Sequence, residues 1–148
     1  MKVVNRLLGD KRVEPSDHNN KAIREASANG QIAVVCRLLK DVCVDPSDRD
    51  NEAIQLASKN KQLRVVDRLL KDKRVNPNAN NNYAIRWASK YGHLAIINRL
   101  LQDFRVDPSG DNNYAIYVAS QEGHLPVVKR VRKSLTASDF QYYLNQVR

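Results

Sequence analysis

The residues with chemistry to offer are three histidines, two cysteines and a ladder of arginines. His93 and His124 stand 31 residues apart in matching Gly-His-Leu triplets, and His18 stands alone. A catalytic imidazole needs a nucleophile or an acid within hydrogen-bond reach. A turn that simply recurs supplies none, so a structural hydrogen bond is the natural role of His93 and His124. Cys36 and Cys43 lie seven positions apart, with no further Cys or His at zinc-ligand spacing. They read as free thiols of a reducing compartment, which favours an intracellular chain, cytoplasmic or nuclear. No HExxH, CxxC, GxSxG or glycine-rich phosphate loop occurs. The expectation is no catalytic residue, no metal and no cofactor.

The arginines are more suggestive. Arg6, Arg37, Arg68, Arg99 and Arg130 recur every 31 residues and could grip phosphates. Yet Asp10, Asp41, Asp72 and Asp103 each follow by four residues, the spacing of an ion pair on one helix face. Local pairing is therefore expected, except at Arg130, where Ser134 replaces the acid. The run KRVRK, residues 129–133, reads as a nuclear-import signal, a phosphate contact or a solvated terminal face, the last being simplest. Net charge is +9, which raises the question of nucleic acid. It peaks at +4 over residues 72–102, from Lys73, Arg74, Arg86, Lys90 and Arg99 against Asp72. So dispersed an excess supports nucleic acid less well than one dense stripe.

The elements that must position these groups are legible as a repeat. Val34-Val35 returns as Val65-Val66, Ile96-Ile97 and Val127-Val128. Ala22-Ile23 returns as Ala53-Ile54, Ala84-Ile85 and Ala115-Ile116, and Ala26-Ser27 as Ala57-Ser58, Ala88-Ser89 and Ala119-Ser120. Pro15, Pro46, Pro77 and Pro108 keep the phase, with Val13, Val44, Val75 and Val106 two residues before them. In each unit an Asn such as Asn81 or Asn82 is placed to cap a first helix. Gly92 suits the left-handed position that ends it. Leu94, Ile97, Leu100 and Leu101 then follow helical spacing, and the proline closes the unit in an extended loop. Helices of about nine residues are too short to stand alone, so stacking of units must stabilise them. No apolar run approaches the roughly 20 residues that span a bilayer, and MKVVNRLLGD lacks a signal-peptide core.

The run A-I-R-x-A-S, the turns Gly92-His93-Leu94 and Gly123-His124-Leu125, and V-V-x-R-L-L resemble the ankyrin repeat family over about residues 1–133. The period is 31, where that family's norm is about 33. Lys21, Glu52, Tyr83 and Tyr114 stand where the family has Thr of its Thr-Pro, and a Val-x-Pro loop replaces a glycine-rich hairpin. The resemblance implies an all-α helical repeat solenoid with short proline-containing loops and little β-structure. Its expected division is a second-helix half-repeat over 1–9, repeats at 10–40, 41–71, 72–102 and 103–133, and a capping helix in 134–148. Ser138 to Gln141 reads as a capping box, and Phe140, Leu144 and Val147 form a helical stripe.

Function is sought in the columns that differ between repeats: Lys21/Glu52/Tyr83/Tyr114, Arg24/Gln55/Arg86/Tyr117, Ala28/Lys59/Lys90/Gln121 and Asn29/Asn60/Tyr91/Glu122. The resemblance puts them at or near a concave groove that grips partners. Tyr, Trp and Arg most often dominate interface energy. The candidate partner-binding residues are Arg24, Gln55, Lys59, Tyr83, Arg86, Lys90, Tyr91, Tyr114 and Tyr117. Trp87 shares its column with Leu56 and Val118 and is expected in the core. The resulting expectation is a non-enzymatic protein-interaction module for an acidic or phosphorylated segment. Beside it stand a nucleic-acid-binding basic repeat protein and a structural fragment of a longer array. A monomer is expected, with end-to-end association open through Val3, Val4 and Leu7.

Overall fold

The computed structural model describes Lys2, Asn5, Arg6, Gly9, Asp10 and residues 14–135. Most of the expected half-repeat over 1–9, and the expected capping helix over 139–147, lie outside the described residues. Eight helices are described from end to end: α1 (Asp17–Ala28), α2 (Ile32–Leu38), α3 (Asp48–Lys59), α4 (Leu63–Leu70), α5 (Ala79–Lys90), α6 (Leu94–Leu100), α7 (Gly110–Gln121) and α8 (Leu125–Arg132). No strand occurs among the described residues. The chain forms two compact units, residues 1–76 and 77–148. In the first, α1 packs on α3 and α2 on α4; in the second, α5 packs on α7 and α6 on α8. Each first helix also packs on the second helix that follows it.

The periodic apolar columns are the core. Ala53, Ala57, Ala84, Ala88, Ala115 and Ala119 are buried, and their small side chains let first helices approach closely. Ile23, Ile54, Ile85 and Ile116 fill the space between first and second helices, and Val35, Val66 and Ile97 with Leu38, Leu69 and Leu100 fill it from the other side. Burying each such side chain stabilises the fold by about 1.5–3 kcal/mol relative to exposure. The loops share in this: Val44, Val75 and Val106 are buried too.

The first turn of each first-helix span is left-handed, and regular α-helix begins after it. His18-Asn19-Asn20, Arg49-Asp50-Asn51, Asn80-Asn81-Asn82 and Asp111-Asn112-Asn113 all have φ between 51° and 65°. Three consecutive L-residues tolerate this region poorly unless they are Asn, Asp or His, and Arg49 alone is none of these. The asparagine expected to cap the helix instead serves the following repeat. Asn20 Oδ1 accepts the Asp45 backbone N–H at 2.8 Å, and Asn51 Oδ1 accepts that of Asn76 at 2.6 Å. Asn20 Nδ2 also donates to Asp48 Oδ2 at 2.9 Å. In the second unit Asn78 accepts the Asp107 N–H, and Asn82 Oδ1 is buried without a hydrogen-bond partner among the described residues.

The aspartate column turns forward as well. Asp41, Asp72 and Asp103 each accept the backbone N–H two residues ahead, of Cys43, Arg74 and Arg105, at 3.0–3.1 Å. The helices end before these aspartates, which frees their carboxylates to form a local side-chain turn. Arg74 and Arg105 then close on Asp72 and Asp103 at 2.8 and 2.7 Å. Arg74 also donates to the carbonyls of Val44 and Leu39, tying its loop to the preceding repeat. These arginines hold both carboxyls below the ordinary aspartate value, against the opposing effect of burial; Arg68 and Arg99 help least. With folded values depressed, the contribution is complete above the unfolded value of about 4 and is lost as pH falls through the folded values. Arg74→Gln is therefore expected to move acid unfolding, followed by far-UV circular dichroism, to higher pH. An unchanged acid midpoint would show that the pair does not stabilise the fold.

The turn between helices needs positive φ as well. Gly30, Gly92 and Gly123 have φ of 70°, 68° and 73°, while Lys61 holds the same place with φ 63°. At Gly92 a Cβ would also fall 2.7 Å from His124 Nδ1. A non-glycine residue in this region is strained by about 1–2 kcal/mol. Lys61→Gly is accordingly expected to raise the thermal midpoint, since relief of strain outweighs the added freedom of the unfolded chain. A lower midpoint would mean that the Lys61 side chain contributes more than its backbone costs.

Candidate functional site

Among the described residues an aromatic cluster lies wholly in the second unit, on α5, the turn that follows it, and α7. A helical turn brings Tyr83, Trp87 and Tyr91 into one row. Tyr83 meets Trp87 edge-on with ring centroids 6.0 Å apart, and Trp87 stacks on Tyr91 at 5.7 Å. Tyr91 in turn stacks on His93 at 6.0 Å, and Tyr114 lies 5.8 Å from Tyr117 on α7. Arg86 bridges the two helices. Its guanidinium carbon is 4.7 Å from the Tyr83 ring centroid and 4.3 Å from that of Tyr114. Its Nη1 pairs with Asp111 at 2.8 Å, and its side chain is only 17% exposed. Lys90 Nζ lies 5.7 Å from the Trp87 ring centroid. Cation–ring contacts of this kind contribute about 0.5–1 kcal/mol at exposed sites and more when shielded from water.

Tyr83, Arg86, Trp87, Lys90 and Tyr114 together line a cavity of about 110 Å³. Its walls are aromatic and its charged groups are cationic, so it suits an anionic or planar group that stacks while meeting positive charge. His124 Nε2 lies 2.9 Å from the Lys90 carbonyl, which ties the end of α5 to the start of α8. Among the described residues no group of three or more His, Cys, Asp or Glu could hold a metal ion. Cys36 is half-buried and Cys43 exposed, and both are free thiols.

The expected site residues divide by unit. Tyr83, Arg86, Lys90 and Tyr114 converge on the cavity. Tyr91 and Tyr117 flank it and are exposed. Arg24, Gln55 and Lys59 belong to the first unit. Arg24 and Gln55 are only 8% exposed, and their donors are committed internally. Arg24 donates to the Asn19 and His18 carbonyls and pairs with Glu52; Gln55 donates to the Asp50 carbonyl. Arg86 reaches the Asn81 carbonyl in the same way. Three of the four residues in this varied column therefore share a task, satisfying a carbonyl of the left-handed turn, and only Tyr117 is exposed. Lys59 ends α3 half-buried. Trp87, expected in the core, is half-buried and forms a wall of the cavity; its column of Leu56 and Val118 pointed inward. Asp111 was missed as well. Its sole signal is its place in the turn that faces Arg86.

Fold and site together define an all-α protein of helix-pair repeats with an aromatic and cationic cluster on its first helices. The family model of ankyrin repeats (three copies) matches residues 54–139, and the chain belongs to the ankyrin repeat family. A comparison with curated proteins finds no match. Ankyrin repeats are in general modules that bind other proteins, without enzymatic activity. No described helix is long and apolar enough to cross a membrane.

Proposed function

We propose that this chain is a non-enzymatic adaptor that binds a segment of another protein through the first-helix face of residues 77–148. Tyr83 and Tyr114 are the anchors, Trp87 is the wall between them, Arg86 holds the two rings in place, and Lys90 selects for acidic side chains. The observation that carries this reading is the guanidinium of Arg86 held between two tyrosine rings beside a cavity. Arg86 and both rings are positioned before any partner arrives, which lowers the ordering cost of binding. Buried aromatic and arginine anchors surrounded by a polar rim are the usual energetic centre of a protein interface. Tyr91 and Tyr117 extend the surface at its edges. Arg24, Gln55 and Lys59 are left out of the contact set, because the first two are occupied within the fold.

The test is affinity capture by the full chain from an extract of its native cell, beside Lys90→Glu. Lys90 is exposed, so its reversal leaves the fold intact. The expected result is a captured protein that the variant retains about tenfold less well, as a charge contact at an interface edge predicts. Equal retention by both chains would remove Lys90 from the site. Capture of nucleic acid, with affinity falling by roughly 0.9 log units per contacted phosphate for each log unit of salt, would replace this reading altogether.

A further inference from the structure

The last helix carries a second, differently built surface. Leu94 and Asn98 of α6 with Pro126, Lys129, Arg130 and Lys133 at α8 line a groove of about 250 Å³. The basic run that contributes to it is folded: residues 125–132 are helical and Val131 is fully buried. An extended import signal would require unwinding α8, so the cations must act from a helix surface.

Comparison along the repeat shows what is unusual here. In the first unit Lys71 Nζ pairs with Asp67 Oδ2 at 2.7 Å, four residues earlier on the same helix turn. The equivalent positions two repeats later are Lys133 and Lys129. The acid has become a second lysine, and like charges at this spacing destabilise a helix. The aspartate that binds Arg74 or Arg105 has become Ser134, whose hydroxyl donates to the Val131 carbonyl. Neither α6 nor α8 contains an acidic residue. Arg130 is fixed meanwhile: its Nε donates to Asn98 Oδ1 at 2.8 Å. A guanidinium held by Nε is set in plane, and its Nη pair is the fork that matches two oxygens of one phosphate.

We propose that this groove binds a phosphorylated peptide, the phosphate meeting Arg130 between Lys129 and Lys133 and a neighbouring aliphatic side chain resting on Leu94 and Pro126. A doubly charged phosphate answers three cations where a single carboxylate would not. Lys129 and Lys133 are separated by only about 6 Å of helix rise. That spans one phosphate group, whereas nucleic acid favours a stripe along many. The site sits on second helices and stands independently of the Tyr83–Tyr114 reading.

The test uses the full chain and fluorescent peptides with a central phosphoserine flanked by leucine or isoleucine. Their unphosphorylated forms, inorganic phosphate and a short single-stranded oligonucleotide are the other arms. The phosphopeptides are expected to bind at least about tenfold more tightly than each of these. Lys129→Asp restores the Asp67–Lys71 arrangement, so it should abolish that preference while leaving or raising the thermal midpoint. The proposal is overturned if phosphorylation makes no difference, if inorganic phosphate binds as well, if the oligonucleotide binds more tightly, or if Lys129→Asp keeps the preference.

Discussion

Ile97→Ala is expected to lower the stability of the fold by about 2–5 kcal/mol, whereas Ile97→Val should lose only about 0.5–1.5 kcal/mol. Ile97 is fully buried in the second unit, with Ile96 and Leu100 of its own helix buried beside it. Truncation to alanine removes three carbons from a packed site and leaves a cavity that short helices close poorly. Valine is the residue of the same column at Val35 and Val66, both fully buried, so the local geometry already accommodates it. With total stabilities of about 5–15 kcal/mol for a typical domain, the alanine variant forfeits a large share. Urea unfolding followed by circular dichroism and by Trp87 fluorescence provides the measurement; Trp87 is the chain's one tryptophan and lies in the same unit. Similar midpoints for the two variants would contradict the placement of Ile97 in a closely packed core.

Tyr83→Ala with Tyr114→Ala is the change expected to matter most for binding. Each ring packs against the Arg86 guanidinium and lines the cavity. Hot-spot truncations cost about 2 kcal/mol or more each, roughly a thirtyfold loss of affinity per ring at 1.4 kcal/mol per factor of ten. The fold should survive, because removal of two cation–ring contacts costs about 1–2 kcal/mol in total and Arg86 keeps its pairing with Asp111. Titration of the captured partner against native and doubly substituted chains separates the two effects, with circular dichroism as the check on folding. Undiminished affinity in a folded double variant would mean that partners bind elsewhere. Tyr117→Ala, at the edge of the cluster, serves as the mild comparison.

Several features were legible because they depend on short-range pattern alone. The Ala, Ile, Val and Leu columns bury the faces that their spacing requires, and Gly92 ends its helix at positive φ. Other features required the packed chain. Asn51 has the composition of a helix cap, yet its side chain bonds a loop 25 residues later, a partner that local spacing cannot name. Asp72 sits four residues after Arg68, but the helix has ended by then and Arg74 is nearer in space. Arg24 and Gln55 vary as surface residues do, yet both are consumed by carbonyls of left-handed turns, turns that were themselves read as capped helix starts.

Residues 83–91, YAIRWASKY, show the division most clearly. Its spacing determines by itself that Tyr83, Trp87 and Tyr91 share a helix face, because 3.6 residues complete a turn. The 31-residue period likewise determines that the segment recurs as part of an all-α repeat. Only the tertiary structure decides that Trp87 is a half-buried wall and that Arg86 reaches across to Tyr114 and Asp111. Those contacts depend on how far apart α5 and α7 stand and on how the first turn of α7 is wound. Both are set by buried alanines on the two helices and by the left-handed backbone of residues 111–113; of these the segment that carries the rings holds only Ala84 and Ala88.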